Sequence, residues 1–271
     1  MIVSDNDPKK ELKALTSEFQ YSNFHYKNSK CSGFENSNFA LSYGSGHLLK
    51  LHNNTMVFED SALINLLEFA KENIDKKTVI FYSNGSLGNF SKKNFTSFDA
   101  FMKELSFYSS WSNGFTIWKD DFDFNNDLDE YFPQVSLLIT QSKKKQFIVC
   151  NEPYFKMQSV KKKGNYNIFS VFCKNYLGLL KKAVADKKIQ IETLEVIKKD
   201  MLFKFLPLNF FKTKVIKVEN YSSEGLKKNI DLEYPWYAYY LVVVLGYLFF
   251  FYYLFDGCRK ILRQSFKLFR A

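Results

Sequence analysis

Cysteine is scarce and unpatterned in this chain. Its four copies, Cys31, Cys150, Cys173 and Cys258, include no C-x-x-C spacing, which argues against a dithiol or zinc-ribbon motif. Histidine is scarcer: His25, His47 and His52 have no Cys or carboxylate at metal-ligand spacing, and a zinc site is disfavoured. Glycine forms no phosphate-cradling loop, and neither a G-x-S-x-G elbow nor an H-E-x-x-H helix occurs. Motif-bearing hydrolases and nucleotide enzymes are therefore disfavoured, although scattered catalytic residues would leave no such trace. No cofactor is implied. The start, MIVSDNDPKKELKALTSEF, also lacks the apolar core of a secretory signal.

Charge is missing from one long stretch. Residues 235–255 read PWYAYYLVVVLGYLFFFYYLF, long enough as a helix for a hydrocarbon core of about 30 Å. One central Lys or Asp would cost about 3 kcal/mol there, so the absence of charge predicts a single transmembrane helix. Trp236, Tyr237, Tyr239 and Tyr240 crowd one end and Tyr252 and Tyr253 the other, as expected of rings at the headgroup level. The tail 256–271 carries Arg259, Lys260, Arg263, Lys267 and Arg270 against Asp256. The positive-inside rule then puts the tail in the cytosol and the large portion in a lumen, a type I arrangement. Five N-x-S/T sequons, at Asn53, Asn84, Asn89, Asn94 and Asn220, lean the same way as glycosylation acceptors. Because the start shows no signal core, either the sequence begins after a removed signal or the topology is reversed, as in a tail-anchored protein facing the cytosol. Cys258, just past the span, is either a palmitoylation site or a plain thiol.

The formal charge is +10. Outside the tail the excess is spread in short runs, 143–145 and 161–163 among them. Such runs are solvated turns and edges rather than a nucleic-acid surface. The 30 Phe accompany Asn and Lys enrichment, which reads as compositional bias, not a base-stacking platform.

Residues 1–46 show no sustained period and read as irregular, with SYGSGH as a joint. From 47 the pattern becomes regular. After the strand HLLKLHNN, SALINLLEFAKENI places Leu63, Leu66, Leu67 and Ala70 on one helical face, with Ser61 to cap. KKTVIFYSNG reads as a buried strand, TSFDAFMKELSFYSS as a helix capped by Thr96 or Ser97, GFTIWKD as a strand, and NNDLDEYF as a short acidic helix. VSLLITQSKKKQFIVCNEP reads as a hairpin and NIFSVFCKNYLGLLKKAV as a final helix. This α/β alternation fits one domain over 47–184. Cys150 and Cys173 then flank one sheet, and either pair as a disulfide or stay as free buried thiols. Residues 185–234 read as a helical extension and stalk, with Ile191, Leu194, Val196, Ile197 and Leu202 as a stripe ended by Pro207.

At FYSNGSLGNFSKKNFTSFDAF the chain resembles the active-site segment of protein disulfide isomerases, where a strand ending Phe-Tyr leads into Cys-x-x-Cys and a long helix. Phe81 and Tyr82 match the strand end, and WKDDFDFNNDLDEYF resembles a later segment of the same family. The resemblance implies a thioredoxin-like sheet flanked by helices, as in the transmembrane members of that family in the endoplasmic reticulum. Ser86 and Asn89 stand where the two cysteines belong, and Val135 where the family has a cis-proline. Exchange needs an attacking thiolate and a second thiol, so the resemblance implies a redox-inactive member. What remains is binding of polypeptide or of a membrane-complex partner in the groove beside Leu87 and Val135. The competing readings are a tail-anchored tether on an organelle and an enzyme of another type. Asp121, Asp123, Asn125, Asp127 and Asp129 alternate like a calcium loop, but Phe132 stands at the twelfth position and Asn126 at the turn glycine, so the run reads as a solvated acidic face.

Overall fold

A computed structural model describes residues 1–31, 33–125, 127–158 and 164–251. The chain divides into two compact units, 1–159 with 178–196, and 160–177 with 197 onward.

In the first unit, β1 (Ile2–Asp5) and β2 (His25–Asn28) pair in parallel around α1 (Leu12–Thr16), and α2 (Asn36–Ser42) follows. The Asp5 carboxylate accepts from Tyr26 Oη at 2.7 Å, and Asn36 Nδ2 donates to the Ser4 carbonyl at 2.9 Å. The segment expected to be irregular is thus held by long-range bonds that no local period announces. Next come β3 (Leu48–Lys50), β4 (Met56–Phe58), α3 (Ala62–Glu72), β5 (Val79–Tyr82), β6 (Lys92–Phe95), α4 (Phe98–Leu105), β7 (Thr116–Trp118), α5 (Pro133–Thr140), β8 (Phe147–Cys150) and β9 (Phe155–Met157).

β8 lies between β5, its parallel neighbour, and β6, its antiparallel one. Every residue of β5 and β8 is buried, so this sheet is covered on both faces, as parallel pairs require. Ile80, Tyr82, Ile148 and Cys150 join Leu66, Trp118 and Phe155 in one core. Alternation turns Phe147 the other way, against Phe98 and Phe101 of α4 with ring centroids 5.7 and 5.2 Å apart. β6 is the lysine-bearing edge. β3 pairs antiparallel with β7, β4 with β9, and a bridge between Phe81 and Phe115 brings the end of β7 to β5.

Helices over 62–72 and 98–105 and strands over 79–82, 116–118 and 147–150 form where the periods predict them. Ser97 caps α4, accepting from Ala100 N at 3.2 Å. Ser61 does not cap α3: it adopts a left-handed φ of 61° and its hydroxyl donates to the Asp60 carbonyl.

The thioredoxin-like sheet is not what the chain builds. After β5 the backbone turns through Asn84 and Gly85, with φ of 53° and 76°, and returns as β6; no helix starts at Ser86. VSLLI is not a strand but α5. Asp129 accepts from the N–H groups of Tyr131 and Phe132, both at 2.9 Å, and Pro133 opens the helix, the position where its missing donor costs nothing. Seven successive residues of α5, Pro133 to Ile139, are buried. Burial all round leaves an apolar run with no period to separate helix from strand. The described part of NNDLDEYF is not helical either.

The second unit opens with β10 (Gly164–Asn167) and α6 (Ile168–Ser170), which passes through a π-helical turn, Val171–Tyr176, into α7 (Leu177–Ala185). α7 beyond its first residue and most of α8 (Ile191–Asp200) belong to the first unit, where Gln190 N donates to the Asp99 carboxylate at 2.7 Å. The helical path continues through a π turn, Met201–Phe205, α9 (Leu206–Phe210) and a second π turn, Phe211–Val215. Pro207 therefore does not end it. The widened turn ahead of the proline absorbs the ring and the missing N–H, as π-bulges do. β11 (Asn220–Ser222) pairs in parallel with β10, and α10 (Leu226–Asp231) and α11, described over 238–251, follow.

The transmembrane helix expected over 235–255 is not supported. Among the described residues no helix is long and apolar enough to cross a membrane. In this region α11 is described over 238–251, and residues 252–255 lie outside the described residues. Its apolar content is partly spent inside the protein: Ala238 and Val242 are fully buried, Tyr247 packs edge-on against Phe210, and Phe249 lies against Phe211. Gly246 sits so close to the Phe210 ring that a Cβ there would come within 2.4 Å of it.

Candidate functional site

The loop expected to replace a dithiol is braced as a structural turn. Ser83 Oγ donates to Asn151 Oδ1 at 2.7 Å, Leu87 N donates to the same oxygen at 3.2 Å, and Asn151 Nδ2 donates to the Asn89 carbonyl at 2.9 Å. Asn84 Oδ1 accepts from Tyr154 N and Phe155 N at 2.7 and 2.8 Å, while its Nδ2 donates to the Phe155 carbonyl at 2.9 Å. Ser86 and Asn89 are exposed in this turn and Leu87 is half-buried. Val135, expected to line a groove with Leu87, is wholly buried in α5. A side chain without exposure cannot line an open groove.

Of the sequons, Asn89, Asn94 and Asn220 are exposed. The amides of Asn84 and Asn53 are engaged, that of Asn53 with Ser112 Oγ at 3.0 Å. Cys150 and Cys173 belong to different units and both are free thiols; burial pushes each up to about 12. Cys258 lies outside the described residues.

The most unusual chemistry gathers at Lys50, on β3 opposite Thr116 of β7. Its Nζ donates to the Leu51 carbonyl at 2.9 Å and the Asn113 carbonyl at 2.5 Å. The same nitrogen lies 4.6 Å from the Phe155 ring centroid and 5.6 Å from that of Tyr82. No described carboxylate forms an ion pair with it. The residue keeps some exposed surface, but its amine is enclosed, and desolvation lowers its pKa from 10.5 to about 7. A neutral amine retains two N–H groups, enough for both carbonyls, and gains a lone pair.

Its surroundings are only partly satisfied. The Tyr82 hydroxyl and Asn113 Nδ2 are buried without a hydrogen-bond partner, and desolvation, followed by the nearby Cys150, raises the Tyr82 phenol. Asn113 Oδ1 is taken by Asn53 N at 2.6 Å. Exposed His52 stacks on Phe58 at 4.4 Å and 7°. Its Nε2 lies 3.0 Å from the Met56 carbonyl, which can only accept, so that nitrogen carries the proton. Desolvation holds its pKa down against that bond, and the Lys50 charge adds to the lowering.

Nothing in the sequence flags this centre. In HLLKLHNN, Lys50 alternates with Leu49 and Leu51 as a solvent-facing strand residue would; the rings that enclose it come from β5 and β9, about 30 and 100 residues on. Comparison with protein-family models and with curated proteins finds no match for the chain.

Proposed function

We propose that the protein is a polypeptide-binding module whose docking surface is the open face of α3. One observation carries this reading. Leu63, Ile64 and Leu67 are 51, 59 and 54% exposed and adjoin one another on the helix, while Ala62 and Leu66 face the core. The stripe that periodicity assigns to the core is thus turned to solvent in large part, and contiguous exposed aliphatic surface on a helix marks an interaction site. Around it stand Asp60, Glu68 and Glu72 against Lys71, all exposed. The complementary partner is an apolar segment with a basic rim. The Ser86 loop, braced as a structural turn by Asn151, is not part of this reading.

A photo-crosslinking residue at position 64 should capture a discrete protein that the same residue at exposed Lys103 does not. Leu63→Asp with Leu67→Asp should abolish the capture while leaving the circular dichroism unchanged. Equal capture from both positions refutes the reading.

A further inference from the structure

The second unit carries an aromatic face that no described element covers. Tyr237, Tyr240, Val244, Tyr247, Leu248 and Phe251 recur every three or four residues along α11 and its entry, and each is more than half exposed. They form one stripe, opposite Ala238 and Val242. Trp236, 70% exposed, stands at its start.

Beside this stripe lies a cleft of about 520 Å³ lined by Lys214, Lys227 and Lys228 together with Phe210, Tyr239 and Tyr247. Lys227 pairs with Asp231. Lys214 and Lys228 are exposed and form no ion pair with a described carboxylate. Cationic side chains therefore share a wall with aromatic rings over two turns of one helix, and the sequence carries five basic residues and one acid over 256–271.

We infer that this face is a docking surface for an anionic phospholipid membrane, with α11 lying in the plane of the interface rather than crossing it. The charge complementarity selects the occupant. Tyrosine and tryptophan place an apolar body at the acyl boundary and a polar tip among the headgroups, and lysine ammonium groups meet the lipid phosphates at the same depth. The lysines also fix the orientation. A helix crossing the bilayer would carry the middle of α11, Tyr247 included, into hydrocarbon, yet Tyr247 shares its cleft with three lysines. Only a helix parallel to the surface keeps rings and ammonium groups at one level. This inference rests on the second unit alone and is independent of the α3 surface.

The test uses the full chain and vesicles of phosphatidylcholine, alone or with roughly one-third phosphatidylserine. The protein should sediment with the anionic vesicles only, with Trp236 emission shifted to the blue, and should be released by raised salt and by alkaline carbonate. Lys214→Glu with Lys228→Glu should weaken binding by at least about fivefold for each charge removed. Tyr240→Asn with Val244→Asn should abolish the blue shift; both changes are at exposed positions, and circular dichroism verifies the fold. Equal binding to both vesicle types, or binding unaffected by the lysine changes, overturns the inference. So does resistance to carbonate, which indicates a crossing helix. A dimer in sedimentation analysis that ignores vesicles and is lost in the Tyr240 and Val244 variant also overturns it, by making a second copy the occupant. Absence of vesicle binding by a folded monomer overturns it as well.

Discussion

Replacing Lys50 by methionine isolates the cost of an enclosed, unpaired charge. In the folded state the amine titrates at about 7, and in the unfolded state at its ordinary 10.5. Between those values the unfolded chain binds more protons, so the lysine-dependent part of stability rises with pH across that window; it is fully restored above 10.5 and lost as pH falls towards 7. At about 1.4 kcal/mol per pH unit, the full shift corresponds to roughly 5 kcal/mol, and the part gained between pH 6 and pH 9 to about 2–3 kcal/mol. Lys50→Met keeps the length and apolar stem of the side chain and removes the titration. It also removes the bonds to the Leu51 and Asn113 carbonyls, a loss of a few kcal/mol that does not vary with pH. Urea unfolding followed by Trp111 and Trp118 fluorescence, in a Trp236→Phe background, should give curves that diverge. The wild type should gain about 2–3 kcal/mol on the variant between pH 6 and pH 9. A constant difference over that range would refute the desolvated amine, because groups common to both proteins cancel.

Asn84→Ala removes three backbone bonds and puts a Cβ-bearing residue without a local hydrogen-bonding side chain at φ 53°; a loss of about 2–4 kcal/mol in chemical denaturation is expected. Phe101→Ala in α4, beneath the fully buried Phe147 ring, should cost about 3–5 kcal/mol in the same assay. Peptide mapping after a thiol reagent at pH 8 should find Cys31, which keeps some exposure, modified well before Cys150 and Cys173, whose thiols burial pushes up to about 12; rapid labelling of either buried thiol in the native protein contradicts this burial. Gly246→Val should push on the Phe210 ring and destabilise the second unit by about 1–3 kcal/mol, read as a lowered midpoint in Trp236 fluorescence.

The sequence by itself determined the local elements whose two faces differ. α4 is announced by Phe98, Phe101, Met102 and Leu105 on one side, all buried, and by its Ser97 cap; β5 and β8 are announced by β-branched and aromatic runs bounded by turn residues. Where both faces are covered the same information fails, and seven buried residues in α5 read equally well as a strand. The Asn-Gly after Tyr82 marks a turn, but only tertiary structure decides that the chain returns as β6 and that β8 enters between it and β5. That decision removes the helix on which the dithiol analogy of Ser86 and Asn89 depends. Hydropathy correctly finds the most apolar run, yet it does not distinguish rings held against Phe210 and Phe211 from rings facing outward. On α3 the 3.6-residue period identifies a helix but not which part of its apolar arc meets the core, and Leu63 and Leu67 remain outside. Lys50 is the extreme case: alternation places it correctly opposite the leucines, while the rings that strip its solvent come from strands distant in sequence. Desolvation depends on what surrounds an atom in three dimensions, and a residue's own neighbours along the chain do not carry that information.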